Sequence, residues 1–271
     1  MATKNKHEIE ATVTKTETSF SDISSTSQNT APADKNSLAT GDINQNKTPF
    51  SVVEAYKNIR VHLLTSLSSI NGKSIVISSP YASEGKSTTA INIAITISHL
   101  NKKTLLIDAD FRRSTVHKKL KMHNEKGCTD VIQGEVQFED VLKSYNNYLD
   151  VLTAGSVVSN PSELFSSVDF DALLAKARDK YDYIVIDAPP INLVSDTMVI
   201  AQKCDGLVII ARAGTTTYEA FKSALDTAKS LNINILGTVL NGIDRSYNKY
   251  YKYRYNKYNK KYGKYGYYSR Y

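Results

Sequence analysis

The stretch Ser78–Ser87, S-S-P-Y-A-S-E-G-K-S, constrains this chain more than any other. Before it, Ile75, Val76 and Ile77 read as a short buried strand. After it, Thr88–Leu100 places Ile91, Ala94, Ile95 and Leu100 at helical spacing. A strand, a turn of small residues ending in Gly-Lys-Ser and then a helix form the P-loop arrangement. Backbone N–H groups of the turn and of the helix N-terminus cradle phosphates, Lys86 reaches the β- and γ-phosphates, and the Ser87 hydroxyl faces Mg²⁺. Ser83, Glu84, Gly85 and Thr88 complete the candidate nucleotide contacts. Pro80 departs from the strict pattern, which has glycine there. A chance Gly-Lys-Ser at a helix start is the plain alternative.

Two further stretches point to the same chemistry. Leu105–Arg112 reads L-L-I-D-A-D-F-R and Tyr183–Pro190 reads Y-I-V-I-D-A-P-P. Each is an apolar run ending in aspartate, the signature of a buried parallel strand that delivers a carboxylate at its C-terminal edge, where ligands bind in open α/β sheets. Lys86, Ser87, Asp108, Asp110 and Asp187 are thus expected at one spot, the set that holds a hydrated Mg²⁺ on nucleotide phosphates. Any one of these aspartates alone would pass as a strand-end turn residue; three together do not.

The combination E-G-K-S-T, L-L-I-D-A-D-F-R and V-I-D-A-P-P resembles the Walker A, A′ and B motifs of the bacterial tyrosine kinases of capsule and exopolysaccharide synthesis, and the resemblance covers roughly residues 50 to 271. Asn160–Leu164, N-P-S-E-L, belongs to it too. These kinases belong to the MinD/ParA-like branch of P-loop proteins and are unrelated to eukaryotic protein kinases, whose glycine-rich loop, H-R-D and D-F-G sets are absent here. The early-loop lysine of the MinD/ParA signature is also absent, which favours the kinase branch over the partitioning ATPases. The resemblance implies transfer of the ATP γ-phosphoryl to tyrosine, with Lys86 on the phosphates and Ser87, Asp110 and Asp187 on Mg²⁺. Asp108 is the choice for the group that orients or deprotonates the phenol, although sequence leaves the division of labour between Asp108 and Asp110 open. Arg112 fits the family's D-x-D-x-R and is preferred over Arg113 as the guanidinium beside the phosphates; a pair of solvated loop arginines is the alternative.

The βα alternation predicts an α/β fold, a mostly parallel, doubly wound P-loop NTPase sheet with helices on both faces. A helical stripe runs over Phe50–Leu67. Leu149–Thr153, Asp205–Ala213 and Asn234–Asn241 read as strands, and Pro161–Ala177, Val194–Lys203 and Thr217–Leu231 as helices. Ser195 or Asp196 is the expected cap of the helix that follows the third motif. Arg212 and Asn241 fall at strand ends near the nucleotide edge, and in MinD-like folds such positions contact the base, so Asn241 is a candidate adenine contact. On the Phe50–Leu67 helix, Glu54, Lys57 and Arg60 recur every three residues. Ion pairs on a solvated face, each contributing about 0.2–0.5 kcal/mol, are one reading. The family's Glu-x-x-Arg-x-x-Arg, used for self-association into a ring, is the other, with Lys57 replacing an arginine and lacking its planar fork.

The termini differ from the middle. Residues 1–49 are rich in Ser, Thr, Asn and Lys and are expected to be disordered; the resemblance implies that residues 50–244 form the kinase domain. Residues 245–271 hold nine Lys or Arg and no acid, against a net charge of +7 for the whole chain, so the basic balance belongs to this tail and the rest sums to −2. The tail is expected to be flexible and carries eleven of the eighteen tyrosines: Tyr247, Tyr250, Tyr251, Tyr253, Tyr255, Tyr258, Tyr262, Tyr265, Tyr267, Tyr268 and Tyr271. Basic residues interleaved with aromatics also suit single-stranded nucleic acid or an anionic membrane surface. The family's C-terminal tyrosine cluster, in the same place, favours phospho-acceptors and no nucleic acid. Cys128 and Cys204 are too few for a disulfide framework and fit a reducing compartment. No run of about 18 apolar residues and no secretory signal is present. Such chains resemble the cytoplasmic halves of split systems, recruited to the inner face of the membrane by a transmembrane adaptor of the polysaccharide co-polymerase type and reversed by a cognate tyrosine phosphatase.

Overall fold

A computed structural model describes residues 48–243; the expectations for the N-terminal segment up to residue 47 and for the tyrosine tail lie outside them. In chain order the elements are α1 (Phe50–Ser69), β1 (Ser74–Ser78), α2 (Lys86–Ser98), β2 (Thr104–Asp108), α3 (Val116–Leu120), α4 (Cys128–Ile132), β3 (Lys143–Asn146), β4 (Leu149–Leu152), α5 (Pro161–Ser166), α6 (Val168–Lys180), β5 (Tyr183–Asp187), α7 (Asp196–Gln202), β6 (Gly206–Arg212), α8 (Tyr218–Ser230) and β7 (Ile235–Asn241). The strands form one seven-stranded sheet in the order β3-β4-β2-β5-β1-β6-β7. All neighbours are parallel except β3 and β4.

Side chains alternate across the sheet, and each face has its own core. Ile75, Ile77, Val185 and Val208 pack beneath α1, α2 and α3. Val76, Ile184, Ile186 and Ile209 pack under α4 to α8, where Phe165, Phe170 and Leu173 fill the space. β1 and β2 are buried along their whole length, as central parallel strands covered on both faces must be. The helix after Gly-Lys-Ser is buried all round rather than on one stripe, because α1 lies on its outer side.

Two expectations are corrected, and one strand was missed. The single helix over Pro161–Ala177 is two, α5 and α6, broken at Ser167, whose backbone is extended (φ −73°, ψ 158°) and whose hydroxyl accepts the Phe170 N–H at 3.3 Å. A serine there stops one helix and caps the next. β3 escaped sequence reading because it is a four-residue, half-buried antiparallel edge strand without an apolar alternation. The helix placed at Val194–Lys203 begins at Asp196, and Ser195 makes no side-chain cap.

The strand order positions the site. β5 comes late in the chain yet inserts between β1 and β2, so Asp187 stands in register with Asp108 on one side and Ile77 on the other. The three motifs therefore end side by side at one edge of the sheet.

Candidate active site

The loop from β1 to α2 turns at two left-handed residues, Ser83 (φ 66°) and Gly85 (φ 100°). Pro80 is not among the positive-φ residues, which is why proline is tolerated where the strict pattern has glycine. At Gly85 a Cβ would stand 2.5 Å from Asn241 Nδ2, so the backbone conformation and the close approach both require glycine. Glu84 is buried. Its carboxylate accepts the Tyr81 N–H at 2.8 Å and the Thr216 hydroxyl, while Thr216 Oγ1 accepts the Arg212 N–H at 2.7 Å. Asn241 Nδ2 donates to the Glu84 carbonyl at 3.2 Å and to Thr89 Oγ1 at 3.1 Å. Arg212 Nη1 donates to the Ser83 carbonyl at 3.2 Å. The ends of β6 and β7 thus brace the loop from behind. Glu84 and Asn241 are supports of the phosphate loop in this structure, Asn241 through its Nδ2.

Lys86 opens α2 and lies almost wholly buried, its Nζ 2.6 Å from Asp110 Oδ2 and 3.9 Å from Asp187 Oδ1. Burial pulls its pKa down, but Asp187 and Asp110 outweigh this and raise it, so the ammonium is held charged. Asp187 has neither oxygen exposed nor hydrogen-bonded. Burial raises its pKa, while Lys86 and the neighbouring Ser87 hydroxyl favour the ionised form. Asp108 was expected to meet substrate, but it has no exposed surface. Its Oδ1 accepts the Asp110 N–H at 3.3 Å and its Oδ2 the N–H groups of Thr115 and Val116 at 3.2 and 3.1 Å. Burial, then the charge of Asp187, drives its pKa well up. Asp110 is the motif carboxylate that reaches the open cavity, of about 470 Å³, which Lys86, Ser87, Thr88 and Arg113 also line.

Arg112 lines the same cavity, as expected, but its guanidinium is already paired. Its Nε and Nη2 donate to Asp196 Oδ2 and Oδ1 at 2.9 and 3.3 Å, and the Ser162 hydroxyl donates to the same carboxylate. Asp196 therefore does not cap α7; it ties the loop after β2 to α5 and α7. On α1, Glu54 and Lys57 form an exposed 2.8 Å pair, whereas Arg60 turns inward and donates to the Thr96 carbonyl of α2 at 2.6 Å. The three do not share one open face. Sequence reading missed Thr216 and Lys119, which carry no local motif; Lys119 shows only as one cation of a short basic helix.

An orphaned buried carboxylate beside a Gly-Lys-Ser helix start fits Mg·nucleotide. Among the described residues no three His, Cys, Asp or Glu are arranged to hold a metal alone, and Mg²⁺ takes few protein ligands when phosphates and water supply the rest.

The parallel sheet, the phosphate loop and the strand-end aspartates define a P-loop nucleotide-binding protein. A family model described as an AAA domain matches residues 72–236. The chain is 36% identical over 190 residues to the tyrosine-protein kinase YwqD of Bacillus subtilis (strain 168), covering 70% of this chain and 80% of that protein. Its structure is similar to the crystal structure of the chimerical protein CapA2B2, with TM-score 0.71 and 29% identity over 77% of this chain and 91% of the other. The kinase domain of the Escherichia coli tyrosine kinase ETK gives TM-score 0.69 and 30% identity over 73% and 78%. The chain belongs to the bacterial tyrosine kinase family. No helix among the described residues is long and apolar enough to cross a membrane.

Proposed function

We propose that this kinase transfers the γ-phosphoryl of Mg·ATP to its own C-terminal tyrosines, those between 247 and 271, and so regulates capsule or exopolysaccharide synthesis and export. The observation that carries the reading is the meeting of Lys86, Asp110 and Asp187 at the phosphate loop, in a chain of this family that ends in eleven tyrosines. A transmembrane adaptor that brings it to the inner face of the membrane, a ring of subunits and an opposing phosphatase belong to the same proposal, supported by resemblance to kinases of that system.

The chemistry follows from the side chains. Lys86 exchanges Asp110 for the β/γ-phosphates, and the N–H groups at the start of α2 bind phosphate oxygens. Ser87 and Asp187 would hold Mg²⁺, with Asp110 acting through water. Bound there, the ion supplies charge neutralisation across the β- and γ-phosphates. The bond from the γ-phosphorus to the bridging oxygen breaks as the bond to the phenolic oxygen forms. ADP leaves with the bridging electron pair, and the phenolic proton passes to a carboxylate and then to water. A phenol has a pKa of about 10, so a neighbouring carboxylate or cation must assist it. Asp110 lines the cavity, which supports its choice as the carboxylate that meets the phenol. Asp108, through its bond to the Asp110 N–H, is assigned to hold that loop as a positioning residue.

The test is phosphotyrosine on the purified chain with Mg·ATP, mapped by mass spectrometry. Wild type should carry it within residues 247–271, and Lys86→Met should carry none. Hydrolysis of ATP without any phosphotyrosine would replace this reading by a nucleotide-driven ATPase switch.

A further inference from the structure

Two adjacent arginines follow Asp110, and only one has its side chain committed. Arg112 is held by both oxygens of Asp196, a carboxylate with 1% of its surface exposed. Pulling the guanidinium away would leave that carboxylate buried beside only the Ser162 hydroxyl, a costly arrangement. Arg112 is therefore fixed by the protein and does not follow a ligand. Arg113 differs in both respects. Its backbone N–H donates to Asp110 Oδ1 at 3.0 Å, the other oxygen of which holds Lys86 Nζ at 2.6 Å. Its side chain lines the cavity, is exposed, and makes no hydrogen bond or ion pair among the described residues. One carboxylate thus fixes the positions of the phosphate-loop ammonium and of the Arg113 backbone.

We propose that Arg113, not Arg112, is the guanidinium that binds the oxygens of the transferring γ-phosphoryl group and stabilises its charge. The proposal rests on the reading of this cavity as the Mg·ATP site. The physical reason is commitment: a cation already neutralised by a buried carboxylate has little field left to give, whereas an unpaired one in the same cavity gives all of it. Lys119 also lines the cavity and makes no side-chain hydrogen bond or ion pair among the described residues, but its charge acts on Asp187 and it stands on α3, not on the Asp110 loop, so it is the natural comparison.

The experiment measures binding of Mg·ADP and of Mg·AMP-PNP, which differ at the γ-position, by titration calorimetry. Wild type, Arg113→Ala, Arg113→Lys, Arg112→Ala and Lys119→Ala are compared, each with its Tm. Arg113→Ala should lose about tenfold of the preference for AMP-PNP over ADP, keep its ADP affinity, and keep its Tm. Arg113→Lys should recover part of that preference. Arg112→Ala should lower Tm and leave the ratio of the two affinities unchanged. An unchanged ratio in Arg113→Ala, an equal loss for both nucleotides, or loss of the preference in Lys119→Ala or Arg112→Ala instead, would overturn the assignment. If wild type bound neither nucleotide, the reading of the cavity itself would fall, and the assignment with it.

Discussion

Asp187 ends its strand with two oxygens that no protein group satisfies, and Lys86 is the cation nearest to them. Replacing Lys86 by Met leaves Asp110 and Asp187 as buried charges beside a thioether. It should abolish phosphotyrosine and also cost about 3 kcal/mol of stability, read from urea unfolding of the nucleotide-free protein. Asp130 is a second buried carboxylate, remote in role, with every oxygen used. Burial alone would raise its pKa, but the Ser156 hydroxyl, the Gly127 N–H and the Lys126 ammonium together outweigh this and hold it at about 2. The folded pKa is below the unfolded one, so this group adds stability that is complete above the ordinary carboxylate range and lost as pH falls toward 2. Asp130→Asn should therefore destabilise by about 2 kcal/mol at pH 7 and by clearly less at pH 3. A pH-independent difference in Tm would refute the linkage. At this scale the sequence showed which residue types were present but not their partners. Arg112 and Arg113 are neighbours in a D-x-D-x-R-R run, and only the position of Asp196, 84 residues on, separates their roles.

Elements decide how well the phosphate loop is held. The loop after β6 supplies Thr216, whose hydroxyl donates to Glu84, and the end of β7 supplies Asn241 behind Gly85. Buried negative charge inside an anion-binding loop is tolerated only because it is fully hydrogen-bonded. Thr216→Val keeps the shape, removes the donor and leaves Glu84 with one partner fewer. ATP KM should rise about fivefold, while Thr216→Ser stays near wild type. Initial rates against ATP concentration, alongside Tm, distinguish a loosened loop from general unfolding. Strand and helix identity was legible wherever an apolar run was long, as in β2, β5 and β6. Local reading failed at Ser167, where one residue ends α5 and starts α6, and at β3, which owes its strand conformation to its pairing with β4.

The whole molecule couples α1 to the site through α2, the helix that opens with Lys86. Arg60 reaches from α1 to the Thr96 carbonyl, so it belongs to the fold, while Glu54 and Lys57 remain outside. Arg60→Ala should cost about 1–2 kcal/mol of stability. The double variant Glu54→Ala, Lys57→Ala should leave Tm almost unchanged and shift the unphosphorylated protein toward monomer in light scattering. An unchanged mass would return this face to ordinary solvated ion pairs, which contribute little.

The sequence by itself determined the chemistry on offer: a Gly-Lys-Ser turn between strand and helix, and two apolar runs that each close on aspartate. Those are local facts, because covalent spacing places a carboxylate at the end of a buried strand whatever the rest of the chain does. The tertiary structure alone decided that β5 slides between β1 and β2 and brings Asp187 level with Asp108. It also turned Asp108 inward onto backbone N–H groups, leaving Asp110 to face the cavity, and it captured Arg112 with Asp196. Which partner a charged group finds depends on packing between segments far apart in the chain, and no local spacing encodes that choice.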